Sequence, residues 1–110
     1  MKVFLLTFIG KAMNVRLTPE EVEAIKCSVK LSDPLAKVYI FGSRCDLSKA
    51  GGDIDLLVES QTIQFGEKIN ILIEIKKLIG EQKIDLVLSK NILIDQDPFI
   101  KLVAKGAVLL

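Results

Sequence analysis

The sequence predicts a mixed α/β (α+β) domain in which helices flank a mixed β-sheet, and three observations carry this prediction. Short apolar runs of strand length alternate with longer segments whose apolar residues recur at helical spacing. Proline, glycine and aspartate separate these segments. The length of 110 residues is that of one compact domain. The resulting order, helix-strand-strand-helix-strand-helix-strand, is typical of helices packed on a mixed sheet.

The first helix is predicted from its capping residues. Thr18 is a good N-cap, Pro19 suits the first helical position, and Glu21 completes a Thr-x-x-Glu capping box. Apolar residues at helical spacing continue to about residue 31, and Asp33-Pro34 ends the helix. Four strands are predicted from β-branched and aliphatic runs, at Lys37–Phe41, Asp53–Glu59, Lys83–Ser89 and Ala107–Leu110.

Two more helices lie between these strands. The longer one is predicted from Gln64 to Ile79, with Gly80 as its stop, and the shorter one begins at Asp97-Pro98 and ends at Gly106. The residues predicted to face the core are Phe65, Ile69, Leu72, Ile75 and Ile79 on the longer helix, and Phe99, Leu102 and Val103 on the shorter one.

Composition excludes several kinds of chemistry. Histidine is absent, which excludes Ser-His-Asp triads, Cys-His nucleophiles and HExxH zinc sites. The net charge is +1, so no overall basic field attracts nucleic acid, and we expect no direct DNA binding. Cys27 and Cys45 lack CxxC spacing, which fits a reducing cytoplasm. Any metal or acid–base chemistry must therefore use carboxylates.

Residues 1–12 are predicted to be an N-terminal extension, and residues 13–110 the domain itself. The apolar run Val3–Ile9 is flanked by lysines and is shorter than the ~18–20 residues that cross a bilayer. It is interpreted as an added edge strand or as the product of an upstream start codon. A signal peptide is the less favoured alternative, because the run is short and no small-x-small cleavage site follows it. We expect no membrane association. Apolar residues make up 50% of the chain, so part of them is expected to form a surface for a partner or for a homo-oligomer.

Two predicted strands carry aspartates within apolar runs. Residues two apart in a strand share a face, so Asp53 and Asp55 point together, and Asp85 lies on the corresponding face of the third strand. If the strands are neighbours in suitable register, three carboxylates converge. Their mutual repulsion is relieved by a divalent cation, and oxygen ligands suit Mg²⁺ or Mn²⁺. The alternative is that these aspartates are simply solvated at the strand ends.

A second motif follows the first strand. Phe41-Gly42-Ser43-Arg44 ends a strand in a Gly-Ser turn, where backbone N–H groups and the Ser43 hydroxyl can cradle a phosphate. An ordinary turn is the alternative. The sequence has neither a GxxxxGK[ST] loop nor GxGxxG, which excludes P-loop and Rossmann nucleotide sites.

Taken together, Gly42-Ser43, the Asp53-Ile54-Asp55 motif and the later strand with Asp85 resemble the polymerase beta-like nucleotidyltransferases. The segments FGSR (41–44), GGDIDLLV (51–58) and QKIDLV (82–87) resemble the minimal nucleotidyltransferases of prokaryotes. The resemblance covers about residues 14–110. It departs from the family pattern at Cys45, Asp46 and Leu47, where many relatives have a second basic residue and a glycine, and at Gly52, where serine often stands.

The resemblance implies the polymerase beta-like nucleotidyltransferase fold and a magnesium-dependent activity. Asp53, Asp55 and Asp85 would be the catalytic metal ligands for two Mg²⁺ ions, or Mn²⁺. Gly42, Ser43 and Arg44 would bind the nucleotide, and ATP is the nucleotide that the resemblance favours. The implied acceptor is a hydroxyl on a separate helical HEPN-type toxin, to which the chain, acting as antitoxin, adds AMP. A non-catalytic masking subunit and transfer to a small molecule are the alternatives.

Overall fold

The computed structural model describes residues 15–49 and 51–110, and the predicted extension at residues 1–12 lies outside them. Helix α1 spans Pro19–Ser32, strand β1 Lys37–Phe41, and a short 3-10 turn Gly42–Cys45. Strand β2 spans Ile54–Glu59, helix α2 Phe65–Ile79, strand β3 Ile84–Ser89, helix α3 Pro98–Ala104 and strand β4 Val108–Leu109. The predicted order of elements is confirmed.

The predicted start of α1 is also confirmed. Thr18 Oγ1 accepts a hydrogen bond from the Glu21 N–H, and Glu21 Oε1 accepts one from the Thr18 N–H. This reciprocal pair is the capping box, and it satisfies two backbone donors that the helix itself leaves without partners. Asp97 caps α3 in a simpler way, because its carboxylate accepts from the Phe99 N–H.

The four strands form one mixed sheet in the order β3-β2-β1-β4. Strand β1 is antiparallel to both β2 and β4, whereas β2 and β3 are parallel. Helix α2 makes the crossover between the two parallel strands, as such a connection requires. Strand β2 is a central strand that is covered on both faces. Four of its six residues are apolar, namely Ile54, Leu56, Leu57 and Val58, and Asp55 lies among them.

The core divides between the two faces of the sheet. On one face, even-numbered strand residues such as Ile40, Leu56 and Leu86 pack with buried residues of α1 and α2. On the other, Phe41 and Leu57 pack with Ile100 of α3 in a smaller cluster. Asp55 and Asp85 have odd numbers and therefore lie on the α3 face.

Two details of the predicted helix faces are wrong. In α2, Phe65 and Ile69 are 74% and 61% exposed, and Ile71, which is not among the predicted residues, is buried. In α3, Phe99 and Leu102 are 49% and 67% exposed. Ile100 is the buried residue there. Ile75 is buried as predicted, and Leu72, Ile79 and Val103 pack against the two clusters as predicted. Within the described residues, no helix is both long and apolar enough to cross a bilayer.

Candidate active site

The parallel pairing of β2 with β3 brings two aspartates side by side. Asp55 is the register partner of Asp85, within a ladder that runs without a break from Ile54–Ile84 to Glu59–Ser89. The same triplet, Ile-Asp-Leu, opens both strands, so each aspartate is the second residue of its strand. The predicted juxtaposition of these two carboxylates is therefore confirmed, whereas their role as metal ligands stays a prediction.

The Gly42-Ser43 turn lies directly against this pair. Phe41 is the register partner of Asp55 on the other side of β2, so the turn leaves β1 at the level of the carboxylates. Gly42 has φ +78°, and a Cβ atom at this position would fall on Asp55 Oδ2. Glycine is therefore required twice over, by the backbone conformation and by the close approach of the carboxylate.

A second close approach joins the turn to the loop before β2. Gly52 has φ +89°, and a Cβ atom there would fall on Ser43 Oγ. The Ser43 hydroxyl is thus packed on the backbone that leads into Asp53. The structure brings Gly42 and Ser43 together with the aspartates, as the sequence predicts, although contact with a nucleotide stays a prediction.

The two arginines of the chain, Arg16 and Arg44, hold the turn in place; we call their hydrogen-bonded arrangement the arginine clasp. Arg44 Nη1 donates to the Arg16 carbonyl at 2.7 Å, and the Arg16 N–H donates to the Arg44 carbonyl at 2.7 Å. Arg44 Nε and Nη2 also donate to the Gly52 carbonyl, at 3.3 and 3.2 Å. The Arg16 guanidinium donates to the Ser43 and Asp46 carbonyls, both at 3.0 Å.

The clasp changes the interpretation of Arg44. Its predicted role was to bind the nucleotide, but its guanidinium is bonded to main-chain carbonyls of Arg16 and Gly52. This arrangement makes it a positioning residue that fixes the turn relative to the Asp53 loop. Direct contact between Arg44 and a nucleotide stays a prediction.

Asp53 has a different interaction partner from the other two carboxylates. It precedes β2, and its Oδ2 is 3.5 Å from Lys83 Nζ, with the two side chains 45% and 72% exposed. Among residues 15–49 and 51–110, no group of three or more acidic or cysteine side chains has the arrangement of a metal site. The structure thus pairs Asp55 with Asp85 and places Asp53 beside them, turned to a lysine.

Electrostatics at the site centre on Asp55. Burial raises the pKa of Asp55, the negative charges of Asp85 and Asp53 raise it further, and a hydrogen bond with Asp85 acts in the same direction. Lys83 opposes these effects. Burial, followed by the charge of Asp55, also raises the pKa of the Cys45 thiol, which argues against a thiolate nucleophile there.

The carboxylates fit a hard divalent cation by donor type. Carboxylate oxygens are the donors that Mg²⁺ and Mn²⁺ take, and a cation beside Asp55 and Asp85 would relieve the repulsion that contributes to the raised pKa of Asp55. The ion pair that engages Asp53 is exposed, and exposed pairs contribute only about 0–1 kcal/mol. Releasing Asp53 to a cation therefore costs little.

A cleft of about 600 Å³ opens beside the acidic pair. Its polar lining comes from Asp55, Asp85 and Lys68, and its apolar lining from both sides of the sheet edge; the apolar members are Phe41, Leu72, Ile84, Leu86, Val87 and Phe99. Gly42, Ser43 and Asp53 are not among the lining residues. The Gly-Ser turn follows β1, whereas Asp85 lies on β3, on the other side of β2, and Phe41, the residue before the turn, also lines the cleft.

Two residues at this site carry no prediction from the sequence, Lys68 and Arg16. Lys68 lines the cleft. Arg16 was not recognised as a structural residue. A signal for it exists, because every basic residue of the chain other than Arg16 and Arg44 is a lysine and the planar guanidinium is the group suited to bridging several carbonyls.

No protein-family model matches the sequence, and no curated protein matches it significantly.

Proposed function

We propose that the protein is a magnesium-dependent nucleotidyltransferase that moves a nucleoside monophosphate, AMP from ATP, onto a hydroxyl of a partner protein. One observation carries the proposal. A glycine-serine turn is packed against Asp55, and Asp55 is aligned with Asp85 on a parallel neighbour strand. A phosphate-binding turn and a pair of carboxylates at the same end of the sheet are the parts that phosphoryl transfer requires.

The turn and the aspartates have separate tasks in this proposal. Backbone N–H groups of Gly42 and Ser43, together with the Ser43 hydroxyl, hold the β- and γ-phosphates. Asp53, Asp55 and Asp85 would hold the metal, for which two ions are proposed. When bound, Mg²⁺ neutralises charge on the triphosphate and orients it for in-line displacement. The arginine clasp keeps the turn at a fixed distance from the carboxylates.

The reaction forms a bond between the acceptor oxygen and the α-phosphorus of ATP and breaks the bond from that phosphorus to the β-phosphate bridging oxygen. Pyrophosphate leaves, and the hydroxyl proton passes to the carboxylate of Asp85. Asp85 is suited to this step because it lines the cleft and lies on β3, across β2 from the strand that leads into the Gly-Ser turn. The nucleotide and the acceptor would thus approach the acidic pair from opposite sides.

The acceptor is proposed to be a separate helical protein of the HEPN type, which the modification would inactivate, with this chain acting as antitoxin. The resemblance of the three motifs to minimal nucleotidyltransferases supports this part of the proposal. Both cysteines are free thiols, which is compatible with the reducing cytoplasm that we propose as the location.

Transfer of label from α-³²P-ATP tests the proposal. The purified chain is incubated with Mg²⁺ and with the protein encoded beside it, and label on that protein is measured after electrophoresis. Asp53→Asn is expected to lower transfer by at least about 100-fold, the scale of losing one preorganised charge at such a centre. Glu81→Gln removes an exposed carboxylate that lies 3.9 Å from Lys76 Nζ, and this variant should transfer normally.

The outcomes separate activity from masking. Complex formation without any transfer by the wild type would show a non-catalytic binding subunit and overturn the proposal. Equal transfer by Asp53→Asn and Glu81→Gln would show that the carboxylate motif does not carry the chemistry.

A further inference from the structure

The face of the sheet that packs against α3 is longer than the helix. Helix α3 has seven residues and is about 10 Å long, whereas the six residues of β2 extend over about 20 Å. Phe99 of α3 packs against Phe41, the register partner of Asp55, so the helix begins at the end of the sheet that carries the acidic pair. A helix this short cannot also cover the other end of the face, where β1 begins and β2 ends.

Two neighbouring cavities lie at that other end. The smaller one, of about 190 Å³, has an apolar lining from the sheet, the loop after β3 and the end of α3, namely Tyr39, Leu57, Ile92, Ala104 and Ala107. The larger one, of about 340 Å³, is lined mainly by polar residues of three loops, namely Asp33, Ser60, Gln61, Thr62, Lys90 and Asn91, together with Leu35. Lys37, Glu59 and Leu93 line both cavities, which therefore form one groove that we call the end groove.

The end groove is separate from the candidate active site. Lys37 and Phe41 are the first and last residues of β1, which places their backbones about 14 Å apart. Within the part of the chain that the structure describes, the cleft beside Asp55 and Asp85 shares no lining residue with either cavity of the groove. A ligand in the end groove would thus leave the acidic pair accessible.

Hydrogen bonds between loops hold the walls of the larger cavity. Gln61 Nε2 donates to the Lys90 carbonyl, which ties the loop after β2 to the loop after β3. Ser60 Oγ donates to Asp33 Oδ2, which ties the loop after β2 to the residue that follows α1. Walls that are held before a ligand arrives lose little conformational entropy when it binds.

The accessible charge of the end groove is positive. Both carboxylates in its lining accept hydrogen bonds from the protein itself, Asp33 from Ser60 and Glu59 from the Ile92 N–H, and Asp33 is only 7% exposed. The two lysines, Lys37 and Lys90, are exposed. A carboxylate on the occupant therefore complements the groove.

Two apolar side chains at the groove are almost fully exposed. Leu35 is 88% and Leu93 is 93% exposed, the highest values among the large apolar residues of the described ranges. Exposed apolar residues that adjoin a cavity are typical of an interaction surface. The smaller cavity has room for one anchoring side chain, since about 150 Å³ is enough for a benzene ring.

We propose that the end groove binds a partner protein through a short segment in which a leucine- or phenylalanine-sized side chain lies within three residues of an aspartate or glutamate. The apolar side chain fills the smaller cavity, and the carboxylate pairs with Lys37, which borders both cavities, or with Lys90. An apolar anchor beside a charged rim is the arrangement found at protein interfaces. This inference goes beyond the proposed function, because it assigns a second surface that holds a partner without any transfer.

A pooled heptapeptide library tests the inference. Its central residue is leucine or phenylalanine, its other positions are random, and peptides are selected for binding to the full chain. The selected peptides should be enriched in aspartate and glutamate within three positions of the centre. When one of them binds, the methyl signals of Ala104 and Ala107 should shift in nuclear magnetic resonance spectra. Those of Ile75, in the core on the other face of the sheet, should not.

Paired variants test the two parts of the groove separately. Affinity for the selected peptide, measured by fluorescence anisotropy, should fall at least about fivefold in Leu93→Ser and less than about twofold in Leu31→Ser, a leucine that is also exposed and lines neither cavity. Lys37→Glu should lower it at least about tenfold, because the carboxylate is then repelled, and Lys49→Glu less than about twofold. All four side chains are exposed, so these substitutions preserve the fold.

Each result decides for or against the docking. A library without binders, binders without acidic enrichment, unchanged Ala104 and Ala107 methyl signals, or equal affinities within a pair of variants would overturn it. Methyl shifts in the free chain that grow with its concentration would show a second copy in the groove. Nuclear Overhauser contacts from these methyls to residues 1–14 would show the chain's own segment there, and either result also overturns the proposal. Nucleotide transfer enters none of these measurements, so failure of the proposed function is detected separately.

Discussion

Replacing Gly42 by alanine should separate backbone strain from damage to the site. Gly42 has φ +78°, and the added Cβ would fall on Asp55 Oδ2 and lie 3.4 Å from Asp55 Cγ. The carboxylate must therefore move. Gly80 offers the matched control, because its φ is +86° and a Cβ there meets nothing within 4 Å. Both variants carry the same kind of strain, and only one displaces the carboxylate.

The expected stability loss follows from these two contributions. Gly80 has φ +86° and ψ −179°, a conformation that essentially only glycine adopts and that costs another residue about 1–3 kcal/mol, so Gly80→Ala should lower the free energy of unfolding by about that amount. For a domain of this size each 1 kcal/mol lowers Tm by about 4–8 °C. Gly42→Ala should lose more, since moving Asp55 adds about 1 kcal/mol or more of overpacking cost.

The functional loss should differ more sharply than the stability loss. Affinity for magnesium-ATP, measured by isothermal titration calorimetry well below both Tm values, should fall at least about tenfold in Gly42→Ala and less than about twofold in Gly80→Ala, tenfold being 1.4 kcal/mol. The stability loss of each variant is measured by thermal unfolding, followed by circular dichroism at 222 nm. Equal affinities in the two variants would refute the view that the turn and the Asp55 carboxylate form one site.

Four more predictions concern charge. The raised pKa of Asp55 means that the stability it contributes is present when it is protonated and is lost as the pH rises through its folded-state pKa. Asp55→Asn should therefore raise Tm at pH 7, with the gain vanishing near pH 3, and a constant gain would contradict this. Asp46 is the opposite case, because hydrogen bonds from the side chain of Ser48 and then from the backbone of Ser48 lower the pKa of Asp46. Asp46→Asn should therefore lower the Tm at pH 7, and the loss should become smaller as the pH falls. Thermal unfolding measured across that pH range checks this. Arg44→Lys keeps the charge but loses the planar fork, so it should cost about 1.5–3 kcal/mol in urea unfolding; a loss no larger than that of Lys49→Arg would refute the clasp. Lys83→Gln should change stability by less than about 1 kcal/mol, because its ion pair with Asp53 is exposed, and a larger loss in the same urea titration would show that the pair is structural.

Much of the fold and part of the site could be predicted from local patterns. The capping box at Thr18 and Glu21 involves only neighbours in sequence, so the residue types at these positions are enough to predict it. The alignment of Asp55 with Asp85 was predictable as a possibility, because period-two alternation fixes which face each aspartate takes. The register itself depends on the crossover through α2 and became known only from the structure.

The helix faces were harder, for a physical reason. Apolar residues surround most of α2, so a second stripe competes with the one that contacts the sheet, and spacing alone cannot choose between them. Phe65 and Ile69 lie on the exposed stripe, and Ile71 and Ile75 on the buried one. That choice is made by the position of α2 over β2 and β3, which is a tertiary property.

The arginine clasp could not be derived from spacing, since its partners are backbone carbonyls of residues far apart in sequence. Arg16 is bonded to the carbonyl of Ser43 across 27 positions. Main-chain oxygens carry no sequence signal, and only the folded chain shows which of them converge on a guanidinium.

Arg16 and Arg44 are the only arginines in the chain, so the chemical reactivity of arginine reports on the clasp alone. An arginine-selective dicarbonyl such as phenylglyoxal has no other guanidinium to modify, and both groups are hydrogen-bonded in the closed arrangement. The rate of its reaction therefore measures how often the Gly-Ser turn opens away from the residues that precede α1. Slowing of that rate by a bound nucleotide would report, without any acceptor, that ligand and loop order are coupled.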